Sequence, residues 1–394
     1  MHSRSRLRPT VVPLLLLAAA CGGDSDGPSG PVDEGETPVA GCSDGTLSSG
    51  ALYRFCFPPG WNGELVIYAH GYVRPDEPLA IPDDALAGVS VSAAVTGLGY
   101  AFATTSYRAN GLVADVAVDD LVDLDDRFRQ LYRPDPTVTY VVGASEGGLV
   151  AALAAELEPA HFSGVLAVCG PIGDFATQID YVGDFRVVFD FFFPDVLPGN
   201  AVEVPDELRA NWETQYIPAI LDALASDPAA ALELIQVTGA PVDDSDVASV
   251  AETVIGLLWY SVFATEDAQL RLGGQPYDNS TREYTGSSDD LVLNAVVARF
   301  TADPGARQAI DRFDVSGDLG IPVVTLHTTG DPIVPFLHES LYAAKVSSAG
   351  ATGLLTQQSA DRYGHCELEQ TEVQTAFATL VQQVSLAAAV AVRP

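Results

Sequence analysis

Basic residues are scarce in this chain. Lys and Arg together number 19 against 53 Asp and Glu, a formal net charge of −34. A surface so charged repels phosphate backbones, which excludes nucleic acid as a partner. No metal-ligand spacing and no nucleotide-binding glycine loop stands out, so neither a metal nor a cofactor is expected. Cysteines number only five and histidines six, which narrows the search for nucleophiles and bases. The apolar run Val11 to Ala20 is too short to cross a bilayer. Against these scarcities, 47% of the 394 residues are hydrophobic. That excludes disorder as the default and suffices for one large core with an insertion, or for two domains.

The first 20 residues read as an export signal. Arg4, Arg6 and Arg8 precede the apolar run, which ends Leu17-Ala18-Ala19-Ala20-Cys21. This end resembles a bacterial lipobox, with its leucine one place further upstream than usual. The resemblance implies lipidation of Cys21 and a membrane tether. Cleavage at an ordinary Ala-x-Ala signal, giving a secreted protein, is the alternative. Residues 21–45, rich in Gly, Pro, Ser and Asp, predict a flexible tether. With Cys21 lipidated, Cys42, Cys56, Cys169 and Cys366 remain, and three pairings are possible. Cys42–Cys56 and Cys169–Cys366 are the expected disulfides, with free buried thiols the alternative.

Apolar segments at 51–57, 64–69, 100–106, 137–142, 164–169 and 322–327 predict strands. Helical patterns fall at 84–97, 119–132, 149–157 and 371–390. Alternation of strand and helix predicts a mostly parallel, doubly wound sheet covered on both faces, in core segments 46–172 and 321–394. Between them, residues 173–320 break the rhythm and predict a mainly helical cap insertion, with helices over 219–225, 229–237, 247–263 and 291–300.

The strand at 137–142 runs into Gly143-Ala144-Ser145-Glu146-Gly147, and a helical run follows. Strand, tight Gly-x-Ser-x-Gly turn and helix form the context of a nucleophile elbow. A serine hydroxyl needs a base in hydrogen-bond reach, and the base needs an orienting acid. His365, in a polar loop before the last helix, is the best-placed base. Asp331, directly after the strand at 322–327, is the best-placed acid, ahead of Asp314 and Asp318. His2, His161, His327 and His338 fall in the signal, beyond the elbow helix, inside a strand and on a helix.

The order Ser145, Asp331, His365 resembles that of the α/β-hydrolase superfamily. The resemblance covers most of the chain after residue 50. It rests on His70-Gly71-Tyr72, the elbow, Gly330-Asp331-Pro332-Ile333-Val334-Pro335 and Gly364-His365-Cys366. It implies that Ser145 attacks a carbonyl, His365 moves the proton and Asp331 fixes the imidazole. It also implies an oxyanion hole from the N–H of Glu146 and that of Tyr72, or alternatively Gly71, with His70 bracing the loop. The Glu146 side chain departs from the familiar lipase pattern. It could bind a cation, raise the pKa of His365 or face solvent. Cys169 and Cys366 partly resemble tannases and feruloyl esterases, in which a disulfide joins the nucleophile and histidine regions; here Ala144 replaces the cysteine before the serine. In the cap, Phe191, Phe192 and Trp259 are candidate acyl-pocket residues, although core packing accounts for them as well. Asp243, Asp244 and Asp246 suit a solvated loop better than a calcium site. The resulting expectation is an exported serine hydrolase of small or polymeric carboxylic esters. A serine aminopeptidase of the same fold and a non-catalytic, surface-anchored binding protein are the alternatives.

Overall fold

The computed structural model describes residues 35–391. The expected signal, Cys21 and the first part of the expected tether lie outside the described residues. Ten strands occur in chain order: β1 (Gly41–Thr46), β2 (Leu52–Phe57), β3 (Glu64–Ala69), β4 (Ala85–Leu86), β5 (Val89–Ser90), β6 (Ala101–Thr105), β7 (Val138–Ala144), β8 (Gly164–Val168), β9 (Val323–Gly330) and β10 (Leu355–Tyr363). Eight of them form one sheet in the order β1-β2-β6-β3-β7-β8-β9-β10. Only β2 runs antiparallel to its neighbours β1 and β6; from β6 to β10 every pairing is parallel.

The inner strands are apolar along their whole length because helices cover both faces. On one face lie α1 (Val91–Gly97) and, at the end of the chain, Gln370–Ala391, whose Leu380 and Val384 pack on β8. The opposite face carries α2 (Ala114–Leu131) and α3 (Glu146–Leu157), with Leu121, Leu124 and Phe128 fully buried beneath them. The strong amphipathic spacing of α2 places those three residues on one stripe.

Residues 84–97, expected to be one helix, divide into the β4–β5 hairpin and the short helix α1. Ala87 and Gly88 hold positive φ angles of 54° and 71° and turn the chain there. β1 lies within the span expected to be tether; it pairs along its full length with β2, and a disulfide joins Cys42 to Cys56 across the pair. β10, at the opposite edge, carries a polar sequence; its last three residues, 361–363, fall in the span expected to be a polar loop.

Between β8 and β9 the chain builds a helical layer from α4 (Phe175–Phe192), α5 (Asp206–Ala210), α6 (Ile217–Ser226), α7 (Pro228–Thr238), α8 (Ala248–Phe263), α9 (Thr265–Leu272), α10 (Asp290–Val296) and α11 (Pro304–Ala309). Its own buried cluster contains Phe185, Phe189, Trp212, Leu234, Leu257 and Leu258. The last two helices are α12 (Leu337–Ala349) and α13 (Gln370–Ala391).

Cys42 and Cys56 are separated by 14 residues, a span for which cross-linking restricts the unfolded chain by about 3 kcal/mol. Replacing both by Ser is expected to lower the unfolding free energy by about 2–3 kcal/mol in a denaturant titration. An unchanged midpoint would show that the pairing of β1 does not depend on the bond.

Candidate active site

The nucleophile candidate stands where β7 meets α3. Ser145 has φ 59° and ψ −126°, a conformation L-residues rarely adopt. The turn closes tightly because its flanking residues have no side chains. A Cβ on Gly143 would lie 1.9 Å from the Gly147 carbonyl oxygen, and one on Gly147 would lie 2.0 Å from that of Ala69.

Asp331 follows β9 directly and is fully buried. Its Oδ1 accepts the N–H groups of Ile333 and Val334, both at 2.9 Å. His365, after β10, lies 2.7 Å through Nδ1 from Asp331 Oδ2 and 2.9 Å through Nε2 from Ser145 Oγ. Three residues from distant parts of the chain are thus joined in one line. Burial works against the charge on Asp331, but the His365 charge and the hydrogen bonds of His327 and His365 outweigh it and hold the acid at about 2. Burial likewise disfavours the charged form of His365, yet Cys366 and Asp331 beside it raise it well above the usual imidazole range.

The Gly71–Tyr72 loop flanks Ser145 closely: a Cβ on Gly71 would sit 3.2 Å from that of Ser145. His70 beneath it is buried, bonded through Nδ1 to the Gly71 carbonyl at 2.7 Å and stacked on Tyr107 at 4.1 Å.

Glu146 does not point into solvent, one of the three roles its sequence position suggested. The side chain is buried, and its Oε1 accepts the Val113 N–H at 2.8 Å, capping α2 from another element. Desolvation lifts its carboxyl to about 8, with the Asp267 charge adding to the rise and the N–H groups of Val113 and Ala114 opposing it. Asp267 makes the matching contact one residue earlier, accepting the Leu112 N–H at 2.5 Å.

The Cys169–Cys366 disulfide is not formed. Both are free thiols, close enough for each to shift the other's titration. Each is held at a positive φ, 48° and 54°. Burial and the neighbouring sulfur raise Cys169 well above the ordinary thiol range.

Two cavities meet at Ser145, with Tyr72 and Tyr260 lining both. One runs under the helical layer, has a volume of about 130 Å³ and is walled by Phe175, Ile179, Val182, Ile333 and Val334. The other is an open cleft of about 740 Å³ that also contains His365. Phe191, Phe192 and Trp259, expected to line an acyl pocket, line neither. They pack against the buried cluster of the helical layer, and Trp259 stands edge-on to Tyr72 at 6.1 Å. Their apolar character serves the cap interior, which the sequence alone does not distinguish from a cavity wall.

Sequence reasoning also missed His327. It is buried on β9, with Nε2 3.0 Å from the Val334 carbonyl and 3.4 Å from Asp331 Oδ2, and Nδ1 3.3 Å from Glu339. Its position four residues before Asp331 was the available signal. Asp125, Asp126 and His161 bring ligand atoms within 4.8 Å of one another, but Asp125 is already paired with Arg129 at 2.8 Å. In the acidic loop, Asp243 accepts the N–H and hydroxyl of Ser245, and Asp246 the N–H of Ala248.

Because the Glu146 carboxyl is raised on folding, the native state binds its proton more tightly than the unfolded chain. Its contribution to stability is complete below about 4.5 and is lost as pH rises through about 8. Glu146→Gln, which keeps the acceptor for Val113, is expected to flatten that decline in unfolding titrations at pH 5 and pH 9. An equal decline in parent and variant would refute a neutral buried acid.

No family model matches the chain, and no curated protein matches it. Among solved structures it is similar to feruloyl esterase B of Aspergillus oryzae, at 16% identity and TM-score 0.43, over 82% of this chain and 72% of that one. An esterase of Pyrococcus furiosus matches at 11% identity and TM-score 0.45, over 89% and 97%. Proline iminopeptidase of Mycobacterium smegmatis matches at 13% identity and TM-score 0.43, over 88% and 100%. With β4 and β5 set aside, the second sheet strand antiparallel to both its neighbours and the crossed order 1-2-4-3-5-6-7-8 place this chain in the α/β-hydrolase fold.

Proposed function

We propose that the chain is an exported serine hydrolase that cleaves carboxylic esters through an acyl-enzyme. The observation that carries this reading is the His365 imidazole held between Ser145 Oγ and the buried Asp331 carboxylate. In that arrangement His365 Nε2 takes the Ser145 proton as Oγ bonds to the ester carbonyl carbon. The same proton passes to the leaving alkoxide as the carbon–oxygen bond breaks. Water then repeats the sequence: it adds to the acyl carbon, its proton goes to His365, and Oγ leaves with that proton. Asp331 holds the tautomer with Nδ1 protonated and offsets the imidazolium charge. The N–H groups of Glu146 and of Tyr72, or Gly71, would receive the carbonyl oxygen; losing one such donor typically costs about 3–4 kcal/mol. No step requires a metal or a cofactor.

The aminopeptidase alternative needs a carboxylate free to hold a substrate ammonium. Glu146 Oε1 and Asp267 Oδ2 instead accept the N–H groups of Val113 and Leu112, Glu146 Oε2 is buried without a partner, and burial raises the Glu146 carboxyl to about 8. That favours the ester. A non-catalytic binding protein would not need the aligned imidazole. The export signal and a lipid on Cys21 belong to the same proposal, and the Cys42–Cys56 disulfide is what an oxidising compartment permits.

Ser145→Ala is expected to abolish both p-nitrophenyl ester hydrolysis and labelling by a fluorophosphonate, with the fold retained. Asp331→Asn is expected to lower kcat by about 10⁴ through the wrong imidazole tautomer. Wild-type turnover in either variant would remove that residue from the mechanism.

A further inference from the structure

The two cavities at Ser145 differ in chemistry. Resting on the hydrolase reading, we infer that the substrate is an ester of an apolar carboxylic acid with a polar alcohol bearing no negative charge. His365 sets the orientation. The leaving alkoxide must receive its proton from Nε2, and His365 lines the open cleft but not the enclosed cavity. The alcohol therefore occupies the cleft, and the acyl group occupies the cavity under the helical layer.

The enclosed cavity is apolar by construction. Its amides are turned away: Gln178, Gln269 and Gln275 donate to the carbonyls of Ile333, Val202 and Tyr277. The Tyr72 hydroxyl donates to the Phe263 carbonyl. An acyl group entering there exchanges water for hydrocarbon walls and finds few groups to bind a polar substituent. The cleft is different. Glu77, Asp84 and Glu367 line it, Glu77 in a 3.7 Å ion pair with Arg74, and no Lys or Arg is among its described lining residues. The net charge of −34 reinforces that local potential. An anionic alcohol is repelled, while hydroxyl-rich or cationic alcohols meet carboxylates and the rings of Tyr68, Tyr72 and Tyr260.

The test uses octanoyl esters of choline, glycerol and glycolate, with the same acyl group throughout. At low salt the choline and glycerol esters are expected to exceed the glycolate ester in kcat/KM by about tenfold, the gap closing as salt is added. Equal or faster turnover of the glycolate ester overturns the inference and leaves the hydrolase reading standing. No turnover of any ester by the folded protein overturns both. Glu77→Lys combined with Glu367→Lys is expected to narrow the gap severalfold, and a gap like the parent's argues against the cleft. Ala268→Phe, in the wall of the enclosed cavity, is expected to shift the p-nitrophenyl ester optimum to shorter acyl chains. An unmoved optimum refutes the acyl placement.

A separate observation concerns the far side of Asp331. We propose that His327 is a positioning residue that acts as a buried imidazolium between Asp331 and Glu339. Both its ring nitrogens face acceptors: Nδ1 the Glu339 carboxylate, Nε2 the Val334 carbonyl and Asp331 Oδ2. Only the doubly protonated ring donates at both. Glu339 is itself anchored by Thr325 Oγ1 at 2.5 Å and Gln357 Nε2 at 2.6 Å. The other titratable neighbours are His365 across Asp331 and His338, which the His327 charge helps to keep neutral. The Phe336 ring lies edge-on at 5.8 Å. Burial disfavours the charged ring, but the hydrogen bonds to Asp331 and Glu339 outweigh it and lift His327 to about 9.

A positive charge behind Asp331 keeps the catalytic carboxylate anionic and limits how tightly His365 holds a proton. His327→Gln is therefore expected to move the acidic limb of kcat/KM upward by about one pH unit, beyond any fall in the plateau. An unmoved limb overturns the proposal. Should that variant not fold, nitrogen NMR of the parent at pH 8 decides: protons on both His327 ring nitrogens support the imidazolium, and a neutral ring refutes it.

Discussion

Burying a carboxylate without any exposure to water costs several kcal/mol unless its lone pairs are filled. Asp331 fills them largely from its own turn. Pro332 has no N–H to give, so the first donors are those of Ile333 and Val334, which fold back onto Oδ1. Oδ2 is left for His365, with His327 on its other flank. The turn that satisfies the acid also shapes what surrounds it. Ile333 and Val334 become a wall of the enclosed cavity. The carbonyls of Pro332 and Ile333, turned outward, accept Tyr181 Oη and Gln178 Nε2 of α4. Acid orientation, cavity shape and docking of the helical layer thus rest on one short segment.

A second constraint is steric. α3 passes so close to β3 and β8 that backbone meets backbone. Gly147 lies against Ala69, and a Cβ on Gly148 would be 2.8 Å from the Val168 carbonyl oxygen. This proximity brings the Gly71–Tyr72 loop beside Ser145 and holds the serine at its unfavourable φ. Glu146 secures the arrangement from the other direction by binding the start of α2. Elbow, loop and helix are therefore fixed relative to one another before any substrate arrives.

Much of this was legible in the sequence. The apolar strands and the elbow glycines are local signals; Ser145 and Asp331 could be picked from the ends of those strands, and His365 from the polar loop before the last helix. The edge strands were harder. β10 reads Thr-Gln-Gln-Ser-Ala-Asp-Arg, polar because one side and one edge face solvent, so no apolar run announces it. β1 has the Gly, Ser and Asp content of a linker and is a strand only because β2 pairs with it. The role of Glu146 was hidden for a different reason. Its partner, the Val113 N–H, is a backbone group 33 residues away and leaves no trace in side-chain chemistry. The aromatic residues Phe191, Phe192 and Trp259 misled because a cap interior and a ligand cavity call for the same residue types.

The Cys42–Cys56 clasp has a consequence for association between molecules. A sheet of eight strands ends in rows of backbone donors and acceptors that another chain could extend. On one side that row belongs to β1, whose residues are mostly exposed and include Gly, Ser and Asp, poor builders of a matching strand. Were β1 to peel away, β2, with Phe55, Cys56 and Phe57 buried, would become the edge instead. The covalent link keeps the inhospitable strand outermost. It acts as a guard against edge-to-edge aggregation.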